Sequence, residues 1–363
     1  MSIENRKKEH IEIALSLESQ GPMTTLFEDV TLVHNAIPDL SYDEIDVSIS
    51  FLGYKLNAPL IISGMTGGTE RAFEINRRLA ELAEEFRIAI GVGSQRAMIE
   101  NPSLLHTYRI VRDLAKSVPV IANIGFAQLK KVSIDQIESM VSAIEANALA
   151  IHLNPAQELV QVEGDKDFKG VLDILKDLIA RLSIPLIIKE VGNGISKEVA
   201  EKLYSIGIKI FDVAGVGGTN WVKIELLRGI KSGADIARFG EVFTAWGIPT
   251  AASICEVRSV AEDITVIGSG GIRSGLDIAK AISLGADLAA AAQPFLRSVV
   301  MGRGREYVNT ILRQLKTAMA LVNSKNIEEL KHAPTIILGR LAQWICSRKL
   351  KLRNNHIYIH CCY

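Results

Sequence analysis

A lysine closing an apolar run is awkward to place, and Lys189 closes the run IPLII at 184–188. An ammonium in a crowded wall must be compensated. It can donate a hydrogen bond to a ring oxygen or nitrogen of a bound cofactor while its charge stabilises an electron-rich ring. It can instead close a salt bridge, for which Glu190 is the adjacent candidate. The segment HLNPAQELVQVEGD at 152–165 concentrates further polar chemistry. His152 and Asn154 alternate with Leu153 and share a strand face, and Pro155 ends the strand and sends Gln157 and Glu158 onward. Glu158 has the chemistry of a Mg²⁺ ligand, although a lone carboxylate also serves as a helix cap or surface charge. His152 has the bland alternative of a satisfied wall histidine.

Two basic segments have the chemistry of an anion site. Arg6, Lys7, Lys8 and His10 lie in the N-terminal NRKKEH stretch, ordinarily a solvated tail, and Arg96 belongs to SQR at 94–96. An arginine fork binds phosphate bidentately and fixed cations hold a diphosphate. The glycine-rich GSGGIRSG at 268–275 fits a phosphate-binding turn or simply a tight turn. Met65 and Trp221 read as packing residues beside a planar ring.

These residues must be gathered by regular elements. Eight short apolar segments recur, beginning near Pro59, Ile88, Pro119, Ala148, Pro185, Lys209, Ile264 and Asp287. Most are spaced for a loop and a helix returning to a parallel strand. The stretch 73–86 places Ile75, Leu79, Leu82, Ala83 and Phe86 on one helical face. The strands are apolar on both alternating positions, as in a barrel whose interior and helix ring are both buried. An open doubly wound sheet would carry its GxGxxG turn after the first strand, whereas here the glycine-rich turn follows the seventh. The expected fold is therefore α/β, a (β/α)₈ TIM barrel with an N-terminal extension and C-terminal helices near 306–321, 327–331 and 337–348. Residues 1–350 form one domain in this reading, with an enlarged loop after the sixth strand at about 215–263, and 351–363 form an unpacked tail of open role. Thr66, Ser94, Asn123, His152, Asn154, Lys189, Thr219, the glycine turn and Gln293 then all fall at C-terminal strand ends, where barrel enzymes place their sites.

Composition narrows the partners. Of 363 residues, 41 are Lys or Arg and 41 Asp or Glu, so no bulk field draws nucleic acid or an acidic membrane. No apolar stretch is long enough to span a bilayer and no cleavable leader is visible, which leads to the expectation of a cytoplasmic protein. Cys255, Cys346, Cys361 and Cys362 are too scattered for a disulfide framework, and His360 beside Cys361 and Cys362 is a poor metal cluster.

In the ordered set NRKKEH, TLVHNAIP (31–38), SGMTGG (63–68), GVGSQR (91–96), AIHLNPAQELVQVEGD (150–165), KEVGNGIS (189–196), GVGGTNW (215–221) and GSGGIRSG, continuing to about ILGRLAQW (337–344), the chain resembles the FMN-dependent type 2 isopentenyl-diphosphate isomerases. The resemblance implies that FMN is held by Gly64, Met65, Thr66, Ser94, Asn123, Lys189, Thr219, Gly270, Gly271, Ile272, Arg273, Ala292 and Gln293. It implies substrate contacts from Arg6, Lys7, Ser94, Gln95, Arg96 and Gln157, with His152 and Asn154 bordering the diphosphate or alkene and Glu158 carrying Mg²⁺. Ala214, where serine is common, Val162, where proline is frequent, and Gln293, where a smaller or apolar residue is usual, depart from the pattern.

The implied activity is a 1,3-allylic proton shift between isopentenyl diphosphate and dimethylallyl diphosphate. Reduced FMN would act as acid and base, Gln157 would orient the alkene or relay a proton, and NADPH or NADH would serve only to reduce the flavin. A homo-oligomer, tetramer or octamer, is also implied. Two alternatives stay open at this point: an FMN-dependent oxidoreductase of a small phosphorylated substrate, and a phosphate-ligand-binding barrel without catalysis.

Overall fold

The computed structural model describes residues 3–232, 239–352 and 356–361. All eight expected segments become parallel strands: β1 (Leu60–Ile62), β2 (Ala89–Gly91), β3 (Val120–Gly125), β4 (Ala148–Leu153), β5 (Leu186–Glu190), β6 (Ile210–Asp212), β7 (Thr265–Ser269) and β8 (Leu288–Ala291). β8 pairs back onto β1, so the sheet closes into a barrel without an edge. Ile62, Ile90, Ile124 and Ile188 are almost wholly buried. Each contributes about 1.5–3 kcal/mol of burial, which is why the strands carry apolar residues at successive positions.

Helices pack between the strands. The helix after β1 runs Glu70–Phe86 and starts earlier than the expected residue 73, because the Thr69 side chain accepts the Ala72 N–H and caps it. Ile75, Leu79, Leu82 and Ala83 are its buried face, while Phe86 is half-buried. After β6 the enlarged loop carries a helix at Trp221–Ser232 and a short turn at Glu241–Ala245, with 233–238 outside the described residues. The following helix, Thr250–Arg258, is buried throughout and is the covering helix between β6 and β7. Among the described residues no helix is long and apolar enough to cross a membrane.

Register explains what faces the mouth. In neighbouring parallel strands, partnered residues share a face. Gly125 is partnered by His152, His152 by Lys189 and Lys189 by Asp212, so three polar side chains stand side by side at one level of the wall. Glu190, one residue on, points to the opposite face.

The N-terminal extension forms a helix, Ile3–Leu15, with Ile11 and Ile13 buried, followed by a turn at Leu17–Ser19. C-terminal helices span Gln293–Val300, Gly304–Leu321, Ile327–Lys331 and Gly339–Ser347. The last starts later than expected because Thr335–Ile337 form a strand antiparallel to Val30–Leu32. The tail also differs from expectation. Ile357–Ile359 pair in parallel with Thr335–Ile337, and Cys361 forms a disulfide with Cys346, their Cα atoms 5.9 Å apart. Scattered cysteines gave no hint of this pairing, because a helix end and a tail strand converge only in the folded sheet; Cys362 lies outside the described residues. Cys361→Ser is expected to raise amide exchange at 357–359 about tenfold while β1–β8 keep their protection. Unchanged exchange there would mean that strand pairing alone holds the tail.

Candidate active site

One cavity opens at the C-terminal ends of the strands, and residues from every strand end and from the N-terminal helix line it. The turn after β7 shapes one side. Gly270 and Gly271 have φ of 96° and 79°, and a Cβ on Gly270 would fall 2.2 Å from the Gly215 carbonyl oxygen, so this doubled turn admits only glycine there. Beside it, Ala292, Gln293 and Pro294 bring the N-terminus of the eight-residue helix Gln293–Val300 to the cavity. A helix N-terminus next to a tight turn is chemistry suited to an anion.

On the wall, the Lys189 Nζ lies 2.6 Å from Asp212 Oδ2. The adjacent candidate, Glu190, is not its partner. Facing the other way, the Glu190 carboxylate accepts the N–H groups of Val191, Gly192 and Asn193, and burial pushes its carboxyl up to about 7 against those bonds. The second oxygen of Asp212 accepts the Ser269 hydroxyl, and Ser269 Oγ in turn accepts the Ala214 N–H at 3.0 Å. Ala214 offers no hydroxyl of its own, and its backbone is fixed from beneath at a φ of 33°. His152 Nδ1 lies 2.8 Å from Asn123 Oδ1, an acceptor, so Nδ1 carries the proton. Burial, helped by Lys189, pulls the imidazole down to about 4, leaving it neutral near pH 7.

Asn154, Gln157 and Glu158 form the next group, as the helix Pro155–Val160 turns their side chains inward. Asn154 Nδ2 donates to both Gln157 Oε1 and Glu158 Oε1 at 3.1 Å. Gln157 Nε2 donates to Glu225 Oε1 at 3.0 Å, so its amide is held at both ends. Glu225 also meets His10 Nε2 at 2.9 Å and pairs with Arg228. Burial alone would raise the Glu225 carboxyl, but these partners outweigh it and hold it below the usual carboxylate range. With its amide turned to suit its neighbours, Gln161 donates to Glu225 and accepts from Arg6. The other Glu158 oxygen accepts the Asp165 N–H at 2.8 Å. Among the described residues no three acidic, His or Cys side chains could hold a metal together. A divalent ion at Glu158 would therefore need oxygens from a ligand or from water, a habit of Mg²⁺.

The third group is cationic. Lys7 Nζ donates to the Gly67 carbonyl at 2.7 Å, the Ser94 carbonyl at 3.1 Å and the Tyr108 hydroxyl at 2.7 Å. Tyr108, fully buried, spends its own proton on the Ser94 carbonyl. Burial first, then Arg6 and Arg96, pull the Lys7 ammonium down to about 7. Arg6 is lowered by the same burial and by Arg96.

Of the residues expected at the site, Arg6, Lys7, Ser94, Arg96, His152, Gln157, Glu158, Lys189 and the glycine turn all line this cavity, as do Gly64, Met65, Thr66, Asn123, Asn154, Thr219, Arg273, Ala292 and Gln293. Gln95 does not. It is fully buried behind the wall, where Oε1 accepts the Asn123 N–H and Nε2 donates to the Met140 carbonyl, and its own N–H bonds the Asn123 carbonyl. Its role is to hold β3 in place, because the helix beginning at Arg96 turns it inward. Val162 is exposed and outside the cavity. Asp212, Glu225, Gln161 and Tyr108 escaped the sequence reading.

The model describing FMN-dependent dehydrogenases matches residues 123–336. Over 97% of its length the chain is 43% identical to the isopentenyl-diphosphate delta-isomerase of Metallosphaera sedula, covering 97% of that protein. It is 46% identical to that of Sulfurisphaera tokodaii, over 97% and 96% of the two chains. It is 48% identical to that of Pyrobaculum islandicum, over 96% and 99%. Among solved structures, mandelate oxidase with (S)-mandelic acid superposes with a TM-score of 0.64 at 14% identity, over 93% of this chain and all of that one, a likeness of fold.

The buried Lys189–Asp212 pair makes a direct test of this wall. Asp212→Ala leaves an ammonium uncompensated and is expected to cost about 3–5 kcal/mol in denaturant unfolding. Lys189→Met with Asp212→Leu should recover most of that loss, and a single variant as stable as the parent would contradict the pairing.

Proposed function

The chain belongs to the isopentenyl-diphosphate delta-isomerase family, and on that premise we propose that its cavity interconverts isopentenyl diphosphate and dimethylallyl diphosphate by a 1,3-allylic proton shift. FMN is the cofactor in this reading, Mg²⁺ accompanies the diphosphate, and NADPH or NADH is needed only to reduce the flavin. The observation that carries it is the shared cavity: Arg6, Lys7 and Arg96, from two distant segments, line the same space as Lys189 and Gln157.

The residues present fit FMN. Lys189 offers a charge to the ring, and the Gly270–Gly271 turn with the helix start at Gln293 suits its phosphate. When bound, reduced FMN supplies an electron-rich ring that gives a proton to an alkene and takes another back, returning to its starting redox state. Protonation of an alkene builds tertiary cationic character, which needs a dry site and fixed dipoles. Asn154 and Glu225 hold the Gln157 amide, so it orients the alkene without searching rotamers. Because an amide has no useful acid or base strength, Gln157 is not an independent proton store. His152 is neutral and bonded to Asn123, so it adds no second cation beside Lys189. Arg6 and Arg96 face the diphosphate, and an arriving oxygen competes for the Lys7 proton now given to the Ser94 carbonyl, the longest of its three bonds. Glu158, lining the same cavity, would hold a Mg²⁺ that accompanies the diphosphate and would help neutralise its charge.

Two measurements test this reading. FMN-loaded, pre-reduced protein with Mg²⁺ should convert isopentenyl diphosphate to a mixture of both isomers over many turnovers, with no matching consumption of reductant. Stoichiometric oxidation of NADPH coupled to product would overturn it in favour of an oxidoreductase. Gln157→Asn draws the amide back by a methylene and should lower kcat about a hundredfold while isopentenyl diphosphate still binds; a wild-type rate would remove Gln157 from the mechanism.

A further inference from the structure

Gln293 carries four side-chain hydrogen-bond contacts at the mouth, more than any other amide side chain lining the cavity among the described residues. Only 7% exposed, its Nε2 lies within bonding distance of the Ala14 carbonyl (2.7 Å), the Ser19 hydroxyl (3.0 Å) and the Ser16 carbonyl (3.2 Å). Its Oε1 accepts from Gln20 Nε2 at 2.9 Å. Gln20 Oε1 in turn accepts from Arg273 at 2.6 Å, and the same guanidinium bonds the Gly217 and Gly271 carbonyls. A chain of three side chains, Gln293, Gln20 and Arg273, therefore runs from the helix start after β8 to the glycine turn after β7, with residues 14–20 of the extension laid over it. The backbone follows the same path. Asn220 N–H bonds the Ser19 carbonyl at 2.8 Å, Gly21 N–H bonds the Gly218 carbonyl at 3.3 Å, and Gln20 bridges to Thr219.

We infer that Gln293 is a positioning residue that clasps the N-terminal extension across the cofactor end of the cavity, so that one contact slows FMN release and seats the substrate-facing cations. The geometry links both tasks. The extension that Gln293 holds at residues 14–19 carries Arg6 and Lys7 about two helical turns upstream of Ala14, and Ala14 lines the cavity together with Gly270, Gly271 and Ala292. Leaving by this side, a bound phosphate must displace the clasp. A smaller or apolar side chain at 293 could not reach four partners, and residues 14–19 would lose that tie to the helix start after β8, while the helix before them stays docked through Lys7, His10 and its buried Ile11 and Ile13.

The inference rests on the FMN reading, and the experiment separates the two. Wild-type and Gln293→Ala holoenzymes are diluted and the fluorescence of released flavin is followed; KM and kcat are measured with saturating FMN; and limited proteolysis maps cleavage at 14–21. Gln293→Ala is expected to release FMN about tenfold faster, to be cut faster at 14–21, and to raise the KM for isopentenyl diphosphate by a larger factor than it lowers kcat. Wild-type rates of release and cleavage in the variant would overturn the clasp while leaving the FMN reading intact, whereas a wild-type protein that retains no FMN through gel filtration would overturn both. Gln20→Ala, which leaves Gln293 in place, decides the matter if the first variant does not fold: faster release supports the clasp and unchanged release overturns it.

Discussion

The mouth of this barrel depends on an ammonium placed among uncharged oxygens. Lys7 is held by two carbonyls and a tyrosine hydroxyl, and the nearby Glu100 carboxylate is already engaged by Arg96. Such a charge is poorly compensated by neutral groups, and an anion arriving beside it recovers what burial took away. That arrangement has structural consequences. Lys7 must be brought from the N-terminus to the ends of β1 and β2, so the extension must fold as a helix and dock, and Gly67 must lack a side chain because a Cβ would lie 2.0 Å from the Tyr108 ring. Arg6 and His10 then come from the same helix, where His10 meets Glu225 of the helix Trp221–Ser232.

The wall is built on the opposite principle. Lys189 has a carboxylate, Asp212, and Gln157 has a partner at each end of its amide, so these groups are immobilised before any ligand arrives. A fixed cation, a fixed amide and a cluster of cations thus share one cavity, and the proposed function assigns them the ring, the alkene and the diphosphate. Overall charge, balanced at 41 and 41, conceals this division.

The barrel was legible because parallel strands buried on two faces leave an apolar signature, and the site was legible where polar residues interrupt that signature at strand ends, as His152 and Lys189 do. What escaped has a common physical cause. Asp212 sits one strand away from Lys189, a neighbour only through register, so Glu190 looked nearer in the chain while facing away in space. Glu225 and Tyr108 lie in helical patterns where they read as a solvated charge and a core aromatic. Gln95 shares a motif with Ser94 and Arg96, but a turn of helix carries it behind the wall. The Cys346–Cys361 link and the tail strand depend on a sheet assembled from both ends of the chain.

In the proposed function Lys7 seats the diphosphate, and binding across pH tests that role most directly. With its ammonium drawn down to about 7, Lys7 is charged below that pH and neutral above it in the free protein. A bound anion favours the charged form. The dissociation constant of isopentenyl diphosphate for the FMN-loaded enzyme should therefore rise between about pH 7 and 9, approaching tenfold per unit, and Lys7→Met should bind more weakly with no such rise. A flat wild-type profile over that range, or the same slope in Lys7→Met, would contradict the account.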